Sequence, residues 1–355
     1  MITLRVAHLG AMSASLAKQV LGTLAGVTIA MVGASAGTMP DYQAPAAHQG
    51  SAASAARAPG APMQPMLGPE DGVVRQNAVN DPIALERVLE YWTPERMAAA
   101  EPAGRQVDNA PPGAADGAGP TDPQAAPRPD SQGERWTAGG KITKTTGRVY
   151  LTMDGGDFTC SASVVHADNK DTLVTAGHCL KDGKGAWAKN WTFIPGYSAG
   201  KEPLGRYVAR ELLVAPQWSH QADDSYDFGM AVLNTSGGKH VADRTGSQPI
   251  SFGTAPQSVR YAFGYPTSGG FDGRHLHYCS GQTRPDQRDT KSSGMACRMT
   301  EGSSGGPWLS NFDTATGKGT ITSVVSFKYA NDESTQYGPH LGAEAKKLYD
   351  DARTM

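Results

Sequence analysis

The sequence predicts an all-β protein that ends in one α-helix and is preceded by a long stretch of low complexity. Three observations carry this. From about residue 139 to residue 330, short β-branched and aromatic runs alternate with glycine-rich turns. Upstream, residues 37–135 are dominated by Ala, Pro and Gly tracts with few side chains to bury. At the C-terminal end Leu341, Ala345, Leu348 and Tyr349 recur at helical spacing. With 355 residues, 39% of them hydrophobic, the chain is long enough for about two folding units and a sizeable core.

Residues 1–36 have the form of an export signal. Arg5, His8 and Lys18 precede an uncharged run of 14 residues from Val20 to Gly33, and Ala34-Ser35-Ala36 follows as a small-x-small cleavage pattern. Such a run rises about 21 Å as a helix, short of the ~30 Å hydrocarbon core, so a removed signal fits better than a retained anchor. A secreted, extracellular protein with no membrane contact after signal removal is expected.

Residues 37–135 read as a disordered pro-region. Tracts such as Ala52-Ala53-Ser54-Ala55-Ala56 and Ala110-Pro111-Pro112-Gly113-Ala114-Ala115 cannot offset the entropy of ordering the chain. One island near 81–98 differs. Asp81 is placed to cap a helix that opens at Pro82, with apolar residues at helical spacing through Trp92, and Thr93-Pro94 starts a second turn. A helix this short is marginal alone, so it is expected to serve as a spacer or to contact the folded domain before removal.

The β-like runs include Val149–Met153, Thr159–Val165, Thr172–Thr175, Trp191–Ile194, Met230–Leu233, Val259–Phe263 and Ile321–Phe327. The charge balance, 32 basic against 34 acidic residues, gives no field for nucleic acid or acidic lipid. The four cysteines, Cys160, Cys179, Cys279 and Cys297, allow three pairings. Their spacings of 19 and 18 favour two local bridges, each worth about 3 kcal/mol. No C-x-x-C pair argues for a metal site.

Three segments carry chemistry. Thr175-Ala176-Gly177-His178-Cys179 ends an apolar strand, and a bridge from Cys179 to Cys160 would fix the backbone of His178. Asp227 heads the apolar strand that runs through Met230–Leu233, an acid at a strand mouth in need of a partner; Asp223 and Asp224 lie nearby but head no such strand. Gly302-Ser303-Ser304-Gly305-Gly306 sets a serine between glycines that let the backbone turn sharply and aim its N–H groups at a ligand.

In the order His, Asp, Ser, on a β domain with paired cysteines, these segments resemble the chymotrypsin-like (trypsin-fold) serine proteases over about residues 140–335. The likeness is greatest to the bacterial secreted, V8-like glutamyl-endopeptidase branch, and Gly264-Tyr265-Pro266 is similar to a motif of that branch. The resemblance implies two six-stranded antiparallel β-barrels, at 136–243 and 244–355, the second carrying the terminal helix. It implies Ser304 as nucleophile, His178 as general base and then acid, and Asp227 as the acid that orients the imidazole. The N–H groups of Gly302 and Ser304 would form the oxyanion hole. Val324–Phe327 looks like the strand that pairs with an extended substrate, with Ser326 bonded to Asp227 and Phe327 as a pocket wall. The implied partners are protein or peptide substrates; no cofactor or metal is needed, and a monomer is expected.

Three departures stand out. Ser303 replaces the aspartate that, in the trypsin branch, pairs with the newly made N-terminal amine, so any latency must arise differently. Lys328 stands where the family often has glycine, and Arg298 begins a segment that does not align with the specificity loop. Together they suggest a cationic pocket favouring Glu or Asp on the acyl side. Two rivals remain. An α/β-hydrolase esterase would also satisfy G-x-S-x-G, but it needs the order Ser, acid, His, and only about fifty residues with one histidine, His340, follow Ser304. A catalytically silent, protease-like binding module would keep the groove. His275 and His277 read as strand histidines rather than ligands.

Overall fold

Short strands joined by glycine turns make up most of residues 72–107 and 128–355, the part of the chain that the computed structural model describes. The export signal expected over 1–36 lies outside the described residues. In chain order the first elements are β1 (Val74–Asn77), α1 (Pro82–Tyr91), α2 (Pro94–Ala99), β2 (Glu101–Pro102), β3 (Arg105–Val107) and β4 (Gln132–Arg135). Next come α3 (Lys141–Thr145), β5 (Thr146–Met153), β6 (Gly156–Val164), β7 (Thr172–Thr175), β8 (Lys189–Pro195), β9 (Tyr207–Val214), α4 (Pro216–Gln221) and β10 (Gly229–Leu233). After α5 (Val241–Thr245) follow β11 (Val259–Gly264), β12 (His277–Gln282), β13 (Arg284–Pro285), β14 (Ser293–Ala296) and β15 (Pro307–Asp313). The chain ends with β16 (Lys318–Val324), β17 (Phe327–Tyr329), β18 (Asp332–Gly338) and α6 (Ala343–Ala352).

Strands β8, β5, β6, β7, β10 and β9 pair antiparallel in that order, and the β9–β8 pairing closes them into a six-stranded barrel. Period-two alternation explains how both faces are buried. Val149 and Leu151 point into a cluster with Phe193, Tyr207 and Leu212. Tyr150, between them, belongs to a second cluster with Trp92, Val88 and Leu348, so α1 and α6 cover the outside of the barrel. The second half consists of two five-stranded sheets, β16-β15-β11-β12-β4 and β13-β14-β18-β17-β3. The Cys279–Cys297 bridge joins them, tying β12 to the residue after β14. The protein is all-β with the chymotrypsin-like architecture, and the expected C-terminal helix is α6, whose Leu348 and Ala345 are fully buried.

The helix expected near 81–98 is present as α1 and α2. The Asp81 carboxylate accepts from the N–H groups of Ile83 and Ala84, at 3.3 and 3.0 Å, and Pro82 opens the helix. The low-complexity reading of 37–135 left no room for strands, yet the structure has four there. β1 adds to β9, β2 runs parallel to β6, β3 runs parallel to β17, and β4 pairs with β12. The reason is physical. An added edge strand gains its stability from main-chain bonds to a sheet that already exists, and those bonds need no apolar pattern in the added segment.

Candidate active site

His178 is placed by its neighbours in sequence. β7 ends at Thr175, a single 3₁₀ turn carries Gly177–Cys179, and Cys179 is bridged to Cys160 on β6. Because β10 pairs with β7 in the register Gly229 to Thr175, the residue just before β10 is delivered to the same mouth of the barrel. That residue is close to Asp227. Its carboxylate accepts from the His178 amide at 2.7 Å and lies 2.8 Å from His178 Nδ1. Ser326 donates at 2.5 Å to the same carboxylate oxygen, Oδ2, that faces His178 Nδ1. A side chain at Gly177 would come within 3.0 Å of the Asp227 oxygen, so glycine permits the close approach.

Asp227 is fully buried. Burial alone would raise its pKa, but the His178 ring, Ser326 and the His178 amide more than offset this and hold it below the ordinary aspartate value. A buried carboxylate satisfied on both oxygens fixes the imbidazole's Nδ1 as the donor and leaves Nε2 as the free basic nitrogen.

Ser304 sits in a turn clasped by main-chain bonds. Gly305 N donates to Val325 O and Val325 N to Gly306 O, at 2.7 and 2.8 Å, while Ser161 N of β6 donates to Ser304 O at 2.7 Å. Gly302 and Gly305 have φ of +87° and +82°, the left-handed region that favours glycine. A Cβ on Gly305 would fall 2.0 Å from the Thr175 hydroxyl, so the serine turn packs directly against the strand that leads to His178. Ser303 donates to Thr300 O of its own turn at 2.6 Å and is buried.

The serine hydroxyl does not engage the imidazole. Ser304 Oγ donates to Ala103 O at 3.2 Å, Gly302 N donates to the same oxygen at 2.8 Å, and His178 Nε2 is buried without a hydrogen-bond partner. The three residues picked from the sequence are therefore brought to one region, but the serine hydroxyl is bonded to a main-chain carbonyl of residues 101–107 and not to the imidazole.

The remaining sequence candidates line one cleft of about 770 Å³ that also holds Ser304. The buried Ser326 and Phe327 line it, and Phe327 stacks on Tyr337 with centroids 5.1 Å apart. Lys328 is tied to main-chain carbonyls, donating to Cys297 O at 2.7 Å and to Glu333 O. Burial pulls its pKa down to about 8 against the opposing pull of Asp332, Glu301 and Glu333. Arg298 is bonded to Gln132 at 3.2 Å at the solvent edge. His277 Nδ1 donates to Gly133 O, 2.9 Å away, with its ring edge-on to Phe271, and is a buried histidine whose pKa is lowered by burial. Among the described residues, one His/Cys group, Cys160, His178 and Cys179, is close enough to share an ion, but its two sulfurs are bonded to each other.

Sequence reasoning missed Asp224 and Arg105, which form an ion pair beside the cleft. Asp224 heads no strand, and its partner lies 119 residues away, so no local pattern marks either residue.

Residues 131–346 match the Trypsin family. The chain belongs to the trypsin family. Among solved structures it is similar to the protease Anisep from Arthrobacter nicotinovorans, with 37% identity and a TM-score of 0.57 over 60% of this chain and 96% of that one. It is also similar to the thermostable serine protease AL20 from an extremophilic microorganism, with 36% identity and a TM-score of 0.58 over 61% and 99%. A Glu endopeptidase, at 19% identity and a TM-score of 0.51 over 64% and 98%, shares the fold. A 73-residue stretch is 36% identical to the extracellular metalloprotease of Bacillus subtilis (strain 168), covering 21% of this chain and 23% of that protein. This chain thus matches about a quarter of that relative's length. The residue before Ser304 is the uncharged Ser303.

Proposed function

We propose that the processed protein is a secreted serine endopeptidase. Ser304 Oγ attacks the carbonyl carbon of a peptide bond, His178 Nε2 takes the serine proton, and the same nitrogen then delivers it to the leaving amine. Asp227 holds the imidazole in the tautomer with Nδ1–H and stabilises the cation that forms. The N–H groups of Gly302 and Ser304 receive the negative charge on the tetrahedral oxygen. Water repeats the sequence on the acyl-enzyme. The observation that carries this reading is the bonded series Ser326–Asp227–His178, with Asp227 fully buried and accepting three hydrogen bonds.

The acyl side of the substrate would lie along Ser326, Phe327 and Lys328, adding as a strand. Lys328 and Arg298 put positive charge at the pocket and favour Glu or Asp there. Processing within residues 108–127 would leave β4 paired on β12 in the mature protein, since Ser131 and Cys279 partners hold that strand. Export through residues 1–36 completes the reading. Among the described residues no helix is long and apolar enough to cross a membrane.

Covalent labelling of the secreted, processed protein with a fluorophosphonate tests it. The adduct is expected on Ser304 and is lost in His178→Ala. No adduct on folded, processed protein would remove the enzymatic reading and bring the binding module forward.

A further inference from the structure

Gly104, Arg105 and Gln106 line the cleft, and the direction of residues 101–107 matters. Glu101 and Pro102 lie parallel to Phe158 and Thr159 of β6, Ala103 places its carbonyl on Gly302 N and Ser304 Oγ, and Arg105–Val107 lie parallel to Phe327–Tyr329 of β17. In the proposed function the acyl part of a substrate, N-terminal to the cut, runs along β17. Here the residues on β17 are C-terminal to the carbonyl at Ser304. The segment therefore occupies the substrate's path with its chain direction reversed. A bond presented this way has its amine on the side where the acyl chain belongs, so attack would not lead to a productive departure.

We propose that residues 101–107 are a built-in inhibitor of the active site, seated backwards and anchored by Arg105 in a subsite for a cationic side chain formed by Asp224 and Trp218. This rests on the proposed function. The anchor is specific. The Arg105 guanidinium pairs with Asp224, whose side chain is 14% exposed, and lies 5.0 Å over the Trp218 ring. The ring is itself fixed, as its N–H donates to Lys181 O at 2.8 Å. Gly104 passes so close to Glu301 that a Cβ would meet its Cγ at 2.1 Å and its Cβ at 2.8 Å. Only a residue without a side chain fits between the anchor and the serine.

The segment is also held from upstream. Trp92, buried at the end of α1, donates from its indole to Asn190 O at 2.7 Å, and Arg206 donates to Trp92 O at 2.7 Å. Docking of α1 on the barrel keeps residues 101–107 at high effective concentration beside the cleft, so a weakly bound strand still blocks it. The segment acts directly on the serine hydroxyl and on the Gly302 N–H assigned above to the oxyanion hole.

The test compares turnover of a small peptide ester by the intact chain, by intact Arg105→Ala and Gly104→Ala variants, and by the processed protein. Intact wild-type chain is expected to be nearly silent, and each variant to raise its turnover by about tenfold or more, as expected for losing a charge-assisted contact or its clearance. Processed protein made from all three chains is expected to turn over alike, since residues 104 and 105 are then gone. Equal turnover by intact and processed wild type would overturn the inference and leave the proposed function standing. Silence of the processed protein would instead count against the proposed function. A synthetic peptide of residues 98–107 added to processed protein gives a second reading that does not depend on variant folding. Competitive inhibition with the peptide recovered uncut is expected; no inhibition, or a cut between Ala103 and Gly104, contradicts reversed seating.

Discussion

The two sides of the cleft are finished to different degrees. On the first barrel, Asp227 is buried, bonded on both oxygens and locked to His178, whose backbone is pinned by the Cys160–Cys179 bridge. On the second half, the Ser304 turn is equally well clasped by main-chain bonds, but its hydroxyl and the Gly302 N–H both serve the carbonyl of Ala103. The difference teaches where the proposed inhibition would act. The His178–Asp227 pair is already bonded, whereas under that proposal the serine side needs a carbonyl removed.

The largest effects should come from the residues assigned to chemistry. Ser304→Ala and His178→Ala are each expected to lower kcat of the processed protein by at least about 10⁴-fold, with thermal unfolding little changed for Ser304→Ala. Steady-state kinetics on a peptide substrate beside a melting curve checks both halves of that statement. Asp227→Asn should cost about 10⁴-fold in kcat, through loss of the correct imidazole tautomer. It should also change the response to acid. Asp227 has a folded pKa below its unfolded value of about 3.8, so its contribution to stability is present above that value and lost as pH falls through the lower folded pKa. Unfolding midpoints measured from pH 5 downward should therefore fall less steeply in Asp227→Asn than in the wild type.

Next in size is the asymmetry of the bridges. Replacing Cys160 and Cys179 by serine should cost about 3 kcal/mol and lower activity further by loosening His178, while the same change at Cys279 and Cys297 should cost about as much stability with less effect on kcat. Denaturant titrations paired with kinetics would separate the two. Equal loss of kcat from both pairs would break the contrast between the sides.

A smaller effect is expected at the pocket. Lys328→Ala should reduce the preference for Glu over an apolar residue on the acyl side by about tenfold. In the wild type that preference should decline as pH rises through about 8, where Lys328 loses its charge. A preference for apolar residues that is flat across this range would remove Lys328 from specificity. Smallest of all, Asp81→Ala should destabilise α1 by about 1 kcal/mol, seen as faster proteolysis of the N-terminal segment in the intact chain.

His178, Asp227 and Ser304 were legible because each stands where an element ends. An apolar strand leads to His178 and another leaves Asp227, and glycines surround Ser304, so local pattern reports their placement. The barrel strands were legible for the same reason, through alternation that the Val149–Tyr150–Leu151 faces bear out in two separate clusters. The segment through the cleft was not. Ala103-Gly104-Arg105 has no periodicity, and its strands are held by main-chain bonds to β6 and β17, far along the chain. Asp224 was passed over because its meaning comes entirely from Arg105. Contacts of this kind, between one residue and a distant backbone or charge, leave no mark in a sequence window.

The most direct measurement is mass spectrometry of processed protein quenched in acid during turnover of a peptide ester. The expected result is the acyl group on the peptide that contains Ser304, absent from Ser304→Ala and undetectable in His178→Ala. Product formed without any acylation of Ser304, or formed equally by Ser304→Ala, would contradict the assignment of the nucleophile and with it the reading of the site.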